Sequence, residues 1–222
     1  MREPANPFQQ LRFLTSANDS GGFPSGGARE VAFVGRSNAG KSSAINVIAA
    51  QRGLAHVSKT PGRTRLINFF ELDPARRVVD LPGYGYAAVD QATRSHWEDF
   101  LAEYVATRAD LVGVVMIADT RHALADADRD MLGFLLKYCR PVHVLLTKSD
   151  KLSRSEAASV LARVRKELAG SPSVDVQLFS ATSKTGLDAA RAAIAVWLMI
   201  ADQKKAPETR GESPGHPKES QV

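Results

Sequence analysis

The sequence predicts an α/β fold: a doubly wound, mostly parallel six-stranded sheet with one antiparallel edge strand. Three observations predict it. Strand-like and helical runs alternate along the chain, and several strand-like runs, "LVGVVMIAD" among them, are apolar on both faces, as strands covered by helices on either side are. "ELDPARRV" is a turn short enough to join two antiparallel strands, while the remaining links are crossovers. Finally, "EVAFVG" passes through a glycine-bearing turn directly into a helical stretch, the strand-to-helix unit from which such sheets are assembled.

In chain order, residues 1–28 form a leader whose "ANDSGGFPSGGARE" is too rich in Gly and Ser for regular structure, and it is expected to dock loosely through Phe8, Leu11 and Phe13. The six strands are "VAFVG", "RLINFFEL", "RRVVDL", "LVGVVMIAD", "VHVLLTKSD" and "VDVQLFSA". Helices are expected at about 41–50, 91–108, 125–139, 153–169 and 185–201. In the second helix Trp97, Phe100, Leu101, Tyr104 and Val105 recur at helical spacing and make one apolar face, so Trp97, like Trp197, is expected in the core. Residues 29–201 are read as one domain. The tail, 202–222, carries Pro, Gly and charge without apolar anchors and is expected to be disordered.

With 44% hydrophobic and 24% charged residues the chain has an ordinary globular composition. The single cysteine, Cys139, excludes an internal disulfide, and no apolar run approaches the ~20 residues of a membrane span. The start "MREPANPFQQLRF" lacks the regions of a signal peptide. A monomeric cytoplasmic protein with no membrane association is expected. Residues 1–77 hold 11 Lys/Arg against 5 Asp/Glu, and residues 78–222 hold 18 against 19. That basic excess suits a polyanionic partner such as RNA, and equally a positive field around a bound triphosphate.

The turn after "EVAFV" carries the chemistry. Gly35-x4-Gly40-Lys41-Ser42 is the phosphate-binding loop pattern, which a random chain of this length would show on the order of once in a hundred times. Its glycines let successive N–H groups face phosphate oxygens, Lys41 adds a point charge on the β- and γ-phosphates, and the Ser42 hydroxyl is a ligand for Mg²⁺. Gly35, Arg36, Ser37, Asn38, Ala39, Gly40, Lys41 and Ser42 are therefore candidate nucleotide contacts. In doubly wound sheets ligands sit beyond the carboxyl ends of the strands, where three further stretches lie. "DLPG" offers Asp80, Leu81, Pro82 and Gly83: a carboxylate to hold Mg²⁺ through water, then a glycine whose bare amide reaches the γ-phosphate. "TKSD" offers Thr147, Lys148, Ser149 and Asp150, and the Asp150 carboxylate matches the paired N1–H and N2–H₂ donors of guanine, which adenine lacks. Lys148 packs its stem along the base, amides near Ser180 and Ala181 of "FSA" are placed to meet the guanine carbonyl, and Phe179 joins the candidate contacts. The order of these stretches makes GTP and GDP, rather than adenine nucleotides, the expected ligands.

"QRGLAHVSKTPGRT" has no structural period and is long enough to suspect a switch that orders on the γ-phosphate. Of Thr60 and Thr64, Thr64 is chosen to complete the Mg²⁺ shell because it directly precedes a strand. Gly62, Arg63, Thr64, Arg65 and Leu66 join the candidate contacts, while Lys59, Arg63 and Arg65 make the loop basic. Tyr84 stands where Ras-type enzymes place a water-orienting Gln, so hydrolysis is expected to be slow, and Tyr84 and Tyr86 are read equally as switch, partner-contact or chemical residues. The five histidines, at 56, 96, 122, 143 and 216, form no metal-ligand spacing.

Together "GRSNAGKSS", "TPGRT", "DLPGYGYA", "TKSD" and "FSATSKTG" resemble the EngB (YihA/YsxC) family of bacterial GTP-binding proteins, within the TrmE–Era–EngA–YihA–septin superfamily, over about residues 8–200. The resemblance implies a P-loop NTPase fold with a Ras-like G domain, and Ser42 and Thr64 as Mg²⁺ ligands. It implies a role in assembly of the large (50S) ribosomal subunit, with rRNA and ribosomal proteins as partners, and a need for the protein in normal cell division and septation. It also places at Asn38 the position where superfamily members bind K⁺ beside the phosphates, so that Lys41, Thr64 and Asn38 become the candidate catalytic residues. The competing reading of Asn38 is a residue that tolerates a left-handed turn. The competing reading of the whole chain is a division-machinery interaction protein that binds GTP mainly for stability.

Overall fold

The computed structural model describes residues 6–55, 66–85, 91–138 and 140–200, with 91–98 described by their backbone alone. Its strands are β1 (Arg12–Ala17), β2 (Arg29–Gly35), β3 (Ile67–Asp73), β4 (Arg76–Asp80), β5 (Leu111–Asp119), β6 (Val142–Thr147) and β7 (Val174–Leu178). Its helices are α1 (Lys41–Ala49), α2 (Gln91–Thr107), α3 (Asp126–Lys137), α4 (Arg154–Leu168) and α5 (Leu187–Trp197). The expected helices are all present, each ending within a few residues of its predicted bounds.

One seven-stranded sheet runs β1-β3-β4-β2-β5-β6-β7. β4, β2, β5, β6 and β7 are parallel neighbours, while β3 is antiparallel to both β4 and β1. The mostly parallel α/β class is as predicted, but the sheet has a seventh strand, and the antiparallel strand β3 lies inside the edge. That extra strand comes from the leader, which was expected to lack regular structure. β1 pairs Arg12 with Glu71 and Ala17 with Ile67. An ion pair from Arg12 to Glu71 and a Ser16 Oγ–H to Asn68 Oδ1 bond of 2.7 Å reinforce the register. Phe8 and Leu11 are buried as expected, whereas Phe13 is 57% exposed on the edge.

Two apolar layers flank the sheet. Phe100, Leu101, Tyr104 and Val105 of α2 pack on one face together with α3 and the inner face of α4. On the other, Ile45 and Ile48 of α1, Ile194 of α5, and Phe8 and Leu11 fill the second layer. Trp197 packs against that layer, its ring edge-on to His143. The side chain of Trp97 lies outside the described residues. So do Thr60, Gly62, Arg63, Thr64 and Arg65, the basic Lys59, Tyr86, Cys139 and the tail from 201 onward. In the described part of the chain no helix is long and apolar enough to cross a membrane.

Candidate guanine-nucleotide site

The sheet delivers the site by bringing the carboxyl ends of β2, β4, β5, β6 and the segment after β7 to one rim. The last residue of β2 is Gly35, and nothing larger fits there: a Cβ would lie 2.8 Å from both the Cβ and the carbonyl oxygen of Ile117 on β5. The loop then turns through Asn38 at φ +62° and Gly40 at φ +101°, and α1 starts at Lys41. Left-handed backbone at both positions is what lets consecutive amides face inward. Asn38 thus holds the left-handed conformation that one of its two readings required, which leaves its side chain free for either.

A cleft of about 1050 Å³ opens over this loop, lined by Ser37, Asn38, Gly40, Lys41, Ser42, Asp80, Leu81, Pro82 and Gly83. Its far side carries Phe13, Leu54, Leu66 and Phe70. The Lys41 ammonium is ion-paired with Asp80 at the end of β4. A cation suited to phosphate and a carboxylate suited to a hard metal therefore lie side by side, with Ser42 lining the same cleft. Oxygen donors of this kind fit Mg²⁺, and Ser42 and Asp80 are the described residues that would hold it.

The base end is a smaller cavity of about 240 Å³ lined by Gly40, Thr147, Lys148, Asp150, Phe179 and Ala181, among others. Lys148 sits at φ +58° and extends across the loop, its Nζ–H donating to the Asn38 carbonyl at 2.6 Å and lying 2.9 Å from Asp119 Oδ2. Thr147 Oγ1–H donates to the Ala39 carbonyl, tying β6 to the same loop. Ser180 Oγ–H donates to Asp150 Oδ1 at 2.6 Å, and this bond holds the Asp150 carboxyl below its ordinary value. Asp150 is therefore an oriented anion, as an acceptor for two guanine donors should be. Ser149 and Phe179 lock the floor through Ser149 N–H to the Phe179 carbonyl.

One predicted contact is redirected. The Ser180 amide, expected to meet the guanine carbonyl, already donates to the Thr185 carbonyl at 3.0 Å, because the chain after β7 folds back on itself. Ser180 acts through its hydroxyl on Asp150, and the amide of Ala181, which lines the cavity, is left for the base.

Other residues of the site carried no local signal. Asp119 ends β5 at the same rim, the position rule that located Asp80 and Asp150, yet it belongs to no phosphate motif. Burial pushes its carboxyl up, but bonds from Arg121 and Lys148 outweigh this and hold it well below the usual carboxylate range. It anchors Lys148. Tyr84, read from the sequence equally as a switch, partner-contact or chemical residue, is buried: its amide donates to the Gly35 carbonyl at 3.3 Å, and its carbonyl accepts from Ser37 at 3.2 Å. Its phenol donates to Asp128 Oδ1 of α3 at 2.8 Å. Burial, then the Asp128 charge, raise the Tyr84 phenol far above its ordinary value, so it stays a donor.

A family model described as "50S ribosome-binding GTPase" matches residues 30–148. The chain is 52% identical over 192 residues to the probable GTP-binding protein EngB of Aromatoleum aromaticum, covering 86% of this chain and 89% of that one. It is 48% identical over 200 residues to the protein of the same name from Neisseria meningitidis serogroup B, covering 89% and 95%. Among solved structures, a crystal structure of a probable GTP-binding protein engB superimposes with a TM-score of 0.64 at 19% identity, over 78% of this chain and all of that one.

Proposed function

Because this chain belongs to the EngB family of GTP-binding proteins and is a P-loop GTPase, we propose that it is a slow guanine-nucleotide switch whose GTP form engages the large ribosomal subunit or its precursor. The observation that carries the nucleotide half is the pair of linked cavities, one holding Lys41 and Asp80 and the other Asp150, joined by Lys148. Gly35 to Ser42 cradle the phosphates, Asp80 and Ser42 hold Mg²⁺ with Thr64, and Gly83 meets the γ-phosphate. Bound Mg²⁺ neutralises charge that develops between the β- and γ-phosphates. Slow hydrolysis follows from Tyr84, whose phenol is committed to Asp128 and so does not orient water. K⁺ at Asn38 is the natural substitute for an arginine finger in such a site.

The ribosomal half rests on the description of the matching family and on the basic excess of residues 1–77. The same reading includes, from the family resemblance, a need for the protein in normal division and septation, and a monomeric cytoplasmic protein. The test is co-sedimentation of the full chain with large-subunit particles in GTP and GDP at several salt concentrations. Preferential binding in GTP is expected, with a log–log salt slope of roughly −3 or steeper if about four RNA phosphates are contacted. Salt-insensitive binding, or equal binding of both nucleotide states, favours a division-machinery scaffold in which GTP is mainly structural.

A further inference from the structure

Asp128 is fully buried at the start of α3, at the edge of the nucleotide rim, yet it belongs to none of the nucleotide motifs. A carboxylate is not buried without partners. One oxygen, Oδ2, accepts from the Ala125 amide at 3.0 Å and so caps the helix; Ala125 has no polar side chain to return the bond. The other, Oδ1, points away from the helix. It accepts from the Tyr84 phenol and lies 3.3 Å from Arg36 Nε, a charge contact without the alignment of a hydrogen bond. That guanidinium nitrogen is buried and has no hydrogen-bond partner among the described residues.

These two partners are the residues that follow the first glycine of the P-loop and the glycine of the "DLPG" turn. Arg36 comes directly after Gly35 of the P-loop, and Tyr84 directly after Gly83 of the "DLPG" turn. Their backbones are bridged in parallel, through Tyr84 N–H to Gly35 O and Ser37 N–H to Tyr84 O, and the Arg36 stem packs beside Gly85. Adjacent Cα atoms are about 3.8 Å apart, so whatever pins Tyr84 to the P-loop also pins Gly83 beside the place where a γ-phosphate rests. The bridge consists of two long backbone bonds at the open end of the sheet. Such a bridge opens easily unless side chains hold it.

We propose that Asp128 is a positioning residue for γ-phosphate recognition: by holding the Tyr84 phenol and the Arg36 guanidinium together it keeps the Gly83 amide docked against the P-loop. It touches no nucleotide itself. Loosening it costs the ligand that uses Gly83, GTP, and spares the ligand that does not, GDP. This inference rests on the proposed contact between Gly83 and the γ-phosphate.

The experiment measures affinity of the full chain for GDP and for a non-hydrolysable GTP analogue, by competition against a fluorescent guanine nucleotide. Tyr84→Phe keeps the ring and removes the bond, and a hydrogen bond to a buried charge is worth enough to weaken the analogue about tenfold. GDP affinity changes less than about twofold, because its contacts lie elsewhere. Asp128→Asn, which also removes the charge facing Arg36, shifts the ratio at least as far, and the double variant is no worse than Asp128→Asn alone, since the Tyr84 bond is one of the links that Asp128 makes. Equal loss of both nucleotides, a ratio that rises, or a lowered urea midpoint with an unchanged ratio overturns the inference. Gly83→Ala separates it from its premise. A ratio that falls with Gly83→Ala but not with Tyr84→Phe defeats the role of Asp128 alone, whereas a ratio indifferent to Gly83→Ala removes the γ-phosphate contact and the inference with it.

Discussion

Two fully buried carboxylates, Glu30 and Asp128, stand at opposite ends of the sheet, and each accepts a hydrogen bond from a buried tyrosine. At the amino end of β2, Glu30 takes both Nε–H and Nη2–H bonds from Arg108, one from Arg77 and one from Tyr104. The same arginines also donate to the Pro24 and Ser25 carbonyls, so one charge cluster, in which the Glu30 carboxylate is fully engaged although Arg77 Nε has no partner among the described residues, ties α2, β4 and the leader to β2. Asp128 has no such saturation: one phenol, one amide, and a guanidinium that is close but misaligned. The first arrangement sits at the amino end of the parallel strands. The second sits at the rim to which doubly wound sheets bring their ligands. The contrast teaches that a buried carboxylate serves architecture when its partners fill every lone pair, and can serve a site when its partners belong to segments that contact a ligand.

Variants at the two ends should separate these roles, beginning with the largest effect. At the nucleotide end, Asp150→Asn replaces an acceptor of two guanine donors by an amide that suits the C2 carbonyl of xanthine. A site built on hydrogen bonds discriminates strongly, so the preference of xanthine over guanine nucleotides should shift by about 10⁴-fold in competition binding, with the urea midpoint hardly moved. Unchanged GTP affinity in this variant would remove the case for guanine.

At the far end the opposite pattern is expected. Glu30→Ala leaves Arg77 largely buried without its counter-charge and Arg108 with only Asp110, 3.7 Å away, which costs about 3–5 kcal/mol of stability in equilibrium urea unfolding. The ratio of GTP-analogue to GDP affinity in the folded fraction stays as in the parent. If that ratio moves, the two ends are coupled and the contrast fails.

The finest comparison is between the two tyrosines. Tyr104→Phe removes one bond to Glu30 and should lower stability by about 1.5–3 kcal/mol while leaving the nucleotide ratio alone. Tyr84→Phe makes the same chemical change beside the P-loop and moves the ratio instead. Matching thermal and nucleotide profiles for the two variants would mean that both tyrosines only pack.

Much of this was legible in the sequence, for a reason that differs from element to element. Gly35 to Ser42 is a local structure: the bend, the left-handed Gly40 and the start of α1 lie within one strand-to-helix unit, so spacing alone announces them. The apolar runs of β5 and β6 declare parallel buried strands, and the ends of those strands locate Asp150. β1 was not legible. Its six residues become a strand only by pairing with β3 fifty or more positions later, and the Gly-rich stretch that follows it masks the signal. The same holds for the polar partners. Ser180 meets Asp150 thirty residues away and Tyr84 meets Asp128 forty-four away, while Asp119 reaches Lys148 across neighbouring strands. By itself the sequence determined the α/β class, the phosphate loop and the place of Asp150 at the rim beside it, because each is written in backbone periodicity or in a short run of contiguous residues. Only the tertiary structure decided the seventh strand, the hydroxyl role of Ser180 and the burial of Tyr84, because pairings between distant segments depend on register and packing, which leave no local pattern to read.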